Sequence, residues 1–325
     1  MSLNDAGFPP PTKPLEGRLY AGMTAGVNAP PVRYTRTMTA SALVDDRAGD
    51  EAAPAGWEAR LALRFERESA RTVLATRRHV GPLRVQKALY PEGAGVCQVI
   101  IVHPPGGIVG GDSLAIAIDA GPDAHAQLTT PGAAKWYRSA QRTAQAETVI
   151  VVRAGALVEW LPQETMLFDG ARAAIRLRVE LAGDARFIGW DVMNLGRTAS
   201  GERFTSGRLH QTFELVRDGN LLWCERAIVD GGSRALQSGA ILNGAPVFGT
   251  FVAAFGAVPD DLVAACRAVD CTPGEGAVTF LPHVLVARYR GDSAHAARTY
   301  FAKLWHVLRP VLAGRAAVAP RIWNT

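Results

Sequence analysis

The sequence predicts a mainly β fold, a many-stranded β domain carrying a small α-helical part at its C-terminal end. Three observations lead there. Short β-branched runs recur between Gly, Pro and Asp turns, apolar residues alternate with polar ones where folding begins, and helical spacing occurs convincingly only twice, late in the chain. In chain order, residues 1–55 hold seven prolines and sustain no period, so they read as a flexible tail. From Gly56 the texture changes: Ala59, Leu61, Leu63 and Phe65 alternate with Arg60, Ala62, Arg64 and Glu66, the period of a half-buried strand. A single β-rich domain over 56–325 follows. Its further strand candidates are Val96 to Val102, Leu114 to Ile118, Thr148 to Val152, Ile175 to Leu181, Leu209 to Val216, Ala277 to Leu281 and Val284 to Tyr289. Pro259-Asp260-Asp261 opens a short helix over Leu262 to Ala268. Ser293 opens a second over Ala294 to Leu308, with Ala297, Phe301, Leu304, Trp305 and Leu308 on one stripe and Pro310 expected to stop it.

Composition narrows the function. With 325 residues, 48% hydrophobic and 20% charged, the chain buries a large core without help from disulfides or a structural metal. The net charge of +5 comes from scattered Arg, with no block of like charge to bind nucleic acid. Arg77-Arg78-His79 fits a solvated strand face better than a phosphate patch. Cys97, Cys224, Cys266 and Cys271 form no Cys-x-x-Cys pair, which argues against structural zinc. Neither a signal-peptide core nor a run of 18 apolar residues occurs, so a cytoplasmic protein with reduced thiols and no membrane or nucleic-acid partner is the expectation.

The densest chemical signal is His103-Pro104-Pro105-Gly106-Gly107-Ile108-Val109-Gly110-Gly111-Asp112-Ser113. It mimics a phosphate loop, but Asp112 stands where a lysine is required and repels phosphate. What remains is a permissive loop carrying a carboxylate and an imidazole, which suits a tight β corner, a cation or a partner contact. In Thr129 to Arg138, the aromatics Trp136 and Tyr137 lie between Lys135 and Arg138, a composition suited to an interface or to core packing. Acids then recur beside large apolar residues: Glu159 and Glu164 in Glu159-Trp160-Leu161-Pro162-Gln163-Glu164, Asp191 after Trp190, and Glu225 in Trp223-Cys224-Glu225-Arg226. Desolvation beside Trp raises the pKa of such carboxylates unless a cation compensates, and Arg172, Arg197 and Arg226 are candidate partners. Left unpaired, they suit hydrolysis by a carboxylate pair, Asp191 with Glu225, or the passage of a divalent cation. The chain has no His-Glu-x-x-His, no Gly-x-Ser-x-Gly and no dinucleotide fingerprint.

Taken together and in order, Leu89-Tyr90-Pro91-Glu92-Gly93, the His103 to Asp112 loop, Thr130-Pro131-Gly132-Ala133-Ala134-Lys135, Glu159 to Glu164, Trp190-Asp191 and Pro320-Arg321-Ile322-Trp323-Asn324-Thr325 resemble the urease accessory protein UreD family, also called UreH. The resemblance spans roughly residues 57–325. It implies strands wound in stacked layers and a cytosolic, non-enzymatic chaperone that binds apo-urease and, with UreF and the GTPase UreG, supports nickel insertion. GTP hydrolysis then belongs to UreG, and no cofactor is tightly bound. A polar and acidic internal route for transient Ni²⁺ is also implied. By position in the motifs, its residues are Asp112, Asp191, Glu225, Glu164 and His103. Lys135 fits a cation route poorly and is assigned, with Trp136, Tyr137 and Arg138, to an interface or to pairing with an acid such as Asp112. Isolated carboxylates exchange Ni²⁺ readily, whereas clustered Cys or His would trap it.

Overall fold

The computed structural model describes residues 56–256 and 259–324, and the Pro-rich tail expected over 1–55 lies outside them. The strands are β1 (Glu58–Glu68), β2 (Arg71–Val80), β3 (Arg84–Val85), β4 (Cys97–Val102), β5 (Ser113–Ala120) and β6 (His125–Thr129). Next come β7 (Ala134–Trp136), β8 (Ala144–Val152), β9 (Leu157–Leu161), β10 (Thr165–Leu167), β11 (Arg172–Leu181) and β12 (Arg186–Leu195). The last are β13 (Arg208–Arg217), β14 (Asn220–Asp230), β15 (Val247–Ala254), β16 (Glu275–Leu281) and β17 (Val284–Gly291). Among the described residues the three α-helices, α1 (Arg234–Gln237), α2 (Asp260–Arg267) and α3 (Ala294–Ala313), all fall after β14.

From β4 to β13 the chain is wound. Its longer strands fall alternately in two sheets, ordered β14-β13-β11-β8-β5-β1-β2 and β16-β17-β15-β12-β9-β6-β4-β3. Each circuit therefore adds one parallel strand to each sheet, β5, β8, β11 and β13 to the first and β4, β6, β9 and β12 to the second. Antiparallel strands finish the ends: β2 pairs β1, β14 pairs β13, and β15, β17 and β16 extend the second sheet. At the corners the short strands β7 and β10 stack on each other and on the end of β12.

The second sheet is covered on both faces, so β9 is buried at every position and β15 at all but one. These strands lack the polar–apolar alternation that marks β1 in the sequence, and they escape a search for period two. On one face, Phe65, Ile118, Ile150, Phe187 and Phe213 fill the space between the sheets. On the other, the predicted stripe of α3 packs Phe301, Leu304, Trp305 and Leu308 against Trp190 and Phe251. Trp323, from the C-terminal motif, completes this aromatic cluster 5.9 Å from Trp190 and donates its Nε1–H to Thr129 Oγ1 at 2.8 Å. Arg77, Arg78 and His79 lie on an exposed stretch of β2, as a solvated strand face requires. Pro310 does not end α3. The helix continues to Ala313, and Gly314, at φ +65°, caps it by donating its N–H to the Pro310 carbonyl.

One charge lies within the apolar contact. Arg309, fully buried one residue beyond the predicted stripe, donates from Nε to Glu159 Oε2 at 2.9 Å and from its other nitrogens to Glu92 at 2.7 and 2.8 Å. It also donates to the Ala316 carbonyl. The Trp305 indole adds a 2.6 Å hydrogen bond to Glu159 Oε2, and His125 Nε2 lies 2.6 Å from Oε1. Burial pushes the Glu159 carboxyl upward, but His125 and Arg309 outweigh it and hold the group at about 2.

Removing Arg309 leaves two buried carboxylates without their counter-charge, so Arg309→Met should destabilise by about 3–5 kcal/mol. Arg309→Lys should recover little, because an ammonium cannot span both acids as the guanidinium fork does. Since the Glu159 carboxyl lies below its unfolded value, its contribution is complete above the ordinary carboxylate range and fades as pH falls toward 2. Thermal melts of both variants at pH 4 and pH 7 measure this directly.

Candidate functional site

A cavity of about 380 Å³ lies between the two sheets, at the end where successive circuits turn their corners. The three sequence motifs His103–Asp112, Thr130–Lys135 and Pro162–Glu164 are equivalent corners of consecutive circuits, which is how distant segments meet at one mouth. His103, Lys135, Gln163, Trp160, Thr148 and Asp191 line the cavity amid apolar side chains. Along β12 the side chains alternate, with Phe187, Met193 and Leu195 facing the inter-sheet core and Ile188, Trp190 and Val192 facing α3. The same period turns Asp191 inward, and its residual exposure is to the cavity it lines.

Asp191 and Glu225, 34 positions apart in the sequence, come close enough for one charge to act on the other, although Glu225 does not itself line the cavity. Asp191 sits directly across from Thr250 on β15, and Thr250 sits directly across from Arg288 on β17. From the opposing sheet, Glu225 on β14 reaches over this row: Thr250 Oγ1 donates to its Oε1 at 3.0 Å, and Arg288 Nη2 lies 2.6 Å from its Oε2. Burial is the main force raising the Asp191 carboxyl to about 7, and the Glu225 charge adds to it, while hydrogen bonds with Gln211 and Trp160 oppose it. Asp191 thus exchanges its proton near neutrality.

Other residues hold different positions. His103 lines the mouth, and burial lowers its imidazole pKa against the opposing charge of Asp112, so the ring is neutral and able to offer a lone pair at pH 7. Asp112 is buried outside the cavity lining, and its two oxygens accept the N–H groups of Trp57 and Val109, each at 2.9 Å. It clamps the glycine loop to the start of β1, where a Cβ on Gly56 would collide with the Gly111 carbonyl. The expected pairing of Asp112 with Lys135 is absent among the described residues, because that carboxylate is taken by backbone donors and Lys135 is exposed beside the mouth. Glu164 pairs with Arg298 of α3 at 2.9 Å and does not line the cavity.

Trp136 is core, 3% exposed, so period two divides the expected interface group: Tyr137 and Arg138 are exposed and Trp136 points inward. Tyr137 packs edge-on to Phe168 with centroids 4.9 Å apart, and Arg138 pairs with Asp169 at 3.1 Å. The arginines expected to neutralise the interior acids do not do so. Arg226 turns to the outer face, 3.7 Å from Glu214, and Arg197 pairs with Glu202 at 2.6 Å. Glu225 instead takes Arg288, an arginine in an otherwise apolar run, where a charge at an inward position was the available signal. Among the described residues no group of three or more His, Cys, Asp or Glu is arranged to hold a metal ion.

A family model described as UreD urease accessory protein matches residues 58–324. The chain belongs to the UreD family. The urease accessory protein UreD of Azoarcus sp. (strain BH72) is 53% identical over 282 residues, covering 87% of this chain and 99% of that protein. Its counterpart in Nitrosococcus oceani is 52% identical over 272 residues, covering 84% and 92%. That of Dechloromonas aromatica is 53% identical over 275 residues, covering 83% and 95%. UreD membership makes this an accessory protein with a role in urease maturation and urease-related partners, and it sets aside the reading of Asp191 and Glu225 as a hydrolytic pair. No helix among the described residues is long and apolar enough to cross a membrane.

A carboxyl raised by burial penalises the fold once it ionises. The penalty is absent below the ordinary carboxylate range, grows as pH rises, and is complete above about 7. Asp191→Asn should therefore stabilise the protein by about 1–3 kcal/mol at pH 8 and by nearly nothing at pH 4, read from denaturant midpoints at the two values.

Proposed function

We propose that this protein is a cytoplasmic, non-enzymatic chaperone that binds apo-urease and, together with UreF and UreG, delivers Ni²⁺ through the space between its wound sheets. GTP hydrolysis is the work of UreG, and nickel is cargo with no resident site. The observation that carries the reading is that Asp191 and His103 line one cavity between the sheets, with the charge of Glu225 close enough to act on Asp191. A group titrating near 7 releases a proton when a cation arrives and takes one back when it leaves, so binding is brief. Nickel prefers nitrogen and sulfur donors, and a lone carboxylate with one imidazole nearby holds it weakly enough to pass it on.

Within this reading the predicted residues separate by role. Asp191, Glu225 and His103 contact the cargo, whereas Asp112 and Glu164 act by fixing the glycine loop and α3 around the mouth. Tyr137 and Arg138, exposed on the same corner face, form part of the contact with a partner.

The test is urease activation in cells that co-express the urease subunits and accessory proteins, with complex assembly followed by pull-down and nickel measured in purified urease. Asp191→Asn and Glu225→Gln should still assemble but leave urease nickel-poor, with activity reduced at least tenfold. Asp112→Ala should instead lower the yield of folded protein. Full nickel loading with Asp191→Asn and Glu225→Gln together contradicts the interior route.

A further inference from the structure

We infer that Arg288 is a displaceable counter-charge that closes the Glu225 end of the interior and makes passage selective for divalent over monovalent cations. This rests on the nickel route proposed above. Asp191, Thr250 and Arg288 lie side by side on β12, β15 and β17, in register and on the inward face of the second sheet, with Val284 and Val286 marking that face on β17. Neighbours so placed are within about 5 Å at Cβ. The row runs outward: Thr250 is buried, while the Arg288 side chain is 58% exposed. Glu225, 13% exposed, spans from β14 to the same row, so its pair with Arg288 stands between the interior and solvent.

Two features make this pair exchangeable. Thr250 fixes one carboxylate oxygen with an aligned hydrogen bond, but Oε2, although 2.6 Å from the guanidinium, makes no aligned hydrogen bond with any described residue. Attraction of charge alone then holds the arginine, and a pair with one exposed partner is weak and screened by salt. On the far side, the residue directly across from Arg288 is Ala277, exposed and uncharged, which leaves the long side chain room to swing toward solvent. A monovalent cation arriving at Glu225 gains no more charge attraction than the guanidinium it displaces. A divalent cation gains twice as much, and the displaced guanidinium is rehydrated.

The test uses full-length Arg288→Gln and Arg288→Lys in the assembled accessory complex, with Asp191→Asn as the reference for the route. Titrating Ni²⁺ against activation of apo-urease, Arg288→Gln should reach half-maximal activation at a nickel concentration at least threefold lower than wild type. Its titration should also shift at least threefold on adding about 0.1 M K⁺, while wild type shifts less than half as far. Arg288→Lys keeps the charge and should follow wild type. A misfolded variant would lose activation rather than reach it at less nickel, which separates this effect from the cost of leaving Glu225 without its counter-charge. If Arg288→Gln matches wild type in both titrations while Asp191→Asn blocks transfer, the latch is wrong and the route stands. Should Asp191→Asn transfer nickel normally, both fall together.

Discussion

The guanidinium of Arg309, buried between Glu159 and Glu92, is the contact on which the rest of the arrangement depends. It locks α3 onto the outer face of the second sheet and ties the chain beyond the helix, through Ala316, to the loop carrying Glu92. With that face sealed by Trp305, Phe301, Trp190 and Trp323, the parallel strands of the second sheet are enclosed on both sides. Enclosure has a consequence for β12. Its period of two turns Asp191 toward the interior, where burial raises its carboxyl.

Two of the molecule's interior acids therefore have opposite fates. Glu159 is surrounded by donors and is held ionised far below neutrality, while Asp191, facing a partly empty space beside another carboxylate, titrates near 7. One is a structural anchor and the other is poised for exchange. The difference lies in the partners supplied by the opposing element: α3 brings an arginine and an indole to Glu159, and the first sheet brings only Gln211 and the acid Glu225 toward Asp191. Winding is what permits this, because each circuit supplies the interior with side chains from both sheets and gathers the corner loops at one mouth.

Much of the fold was legible where local pattern and burial agree. The alternating residues of β1, the stripe of α3 and the Gly and Pro punctuation each follow from one face meeting water. β9, β12 and β15 were illegible as strands because both their faces are covered, which removes the alternation, and because Glu159, Gly189 and Gly249 interrupt the kind of β-branched run that reveals the equally buried β4. The site was legible as residue types and opaque as partnerships. Asp191 and Glu225 stood out by their apolar surroundings, yet nothing local indicates that Arg288, 63 positions beyond Glu225, closes the pair, or that Thr250 lies between them. Asp112 was conspicuous for its glycine loop and proves to hold that loop in place. Arg309 carried a usable signal, a charge one turn beyond Trp305 at the edge of an apolar stripe, where burial is tolerated only with partners.

The most direct measurement of the central claim is to fill the interior and leave its charges intact. Ala146, on β8, lines the same cavity as Asp191, and Ala146→Phe would take up part of that space without removing any donor or acid. The account predicts a folded protein that assembles with its partners and yields urease with little nickel. Urease loaded to the wild-type level by a complex whose cavity is shown to be filled would contradict it.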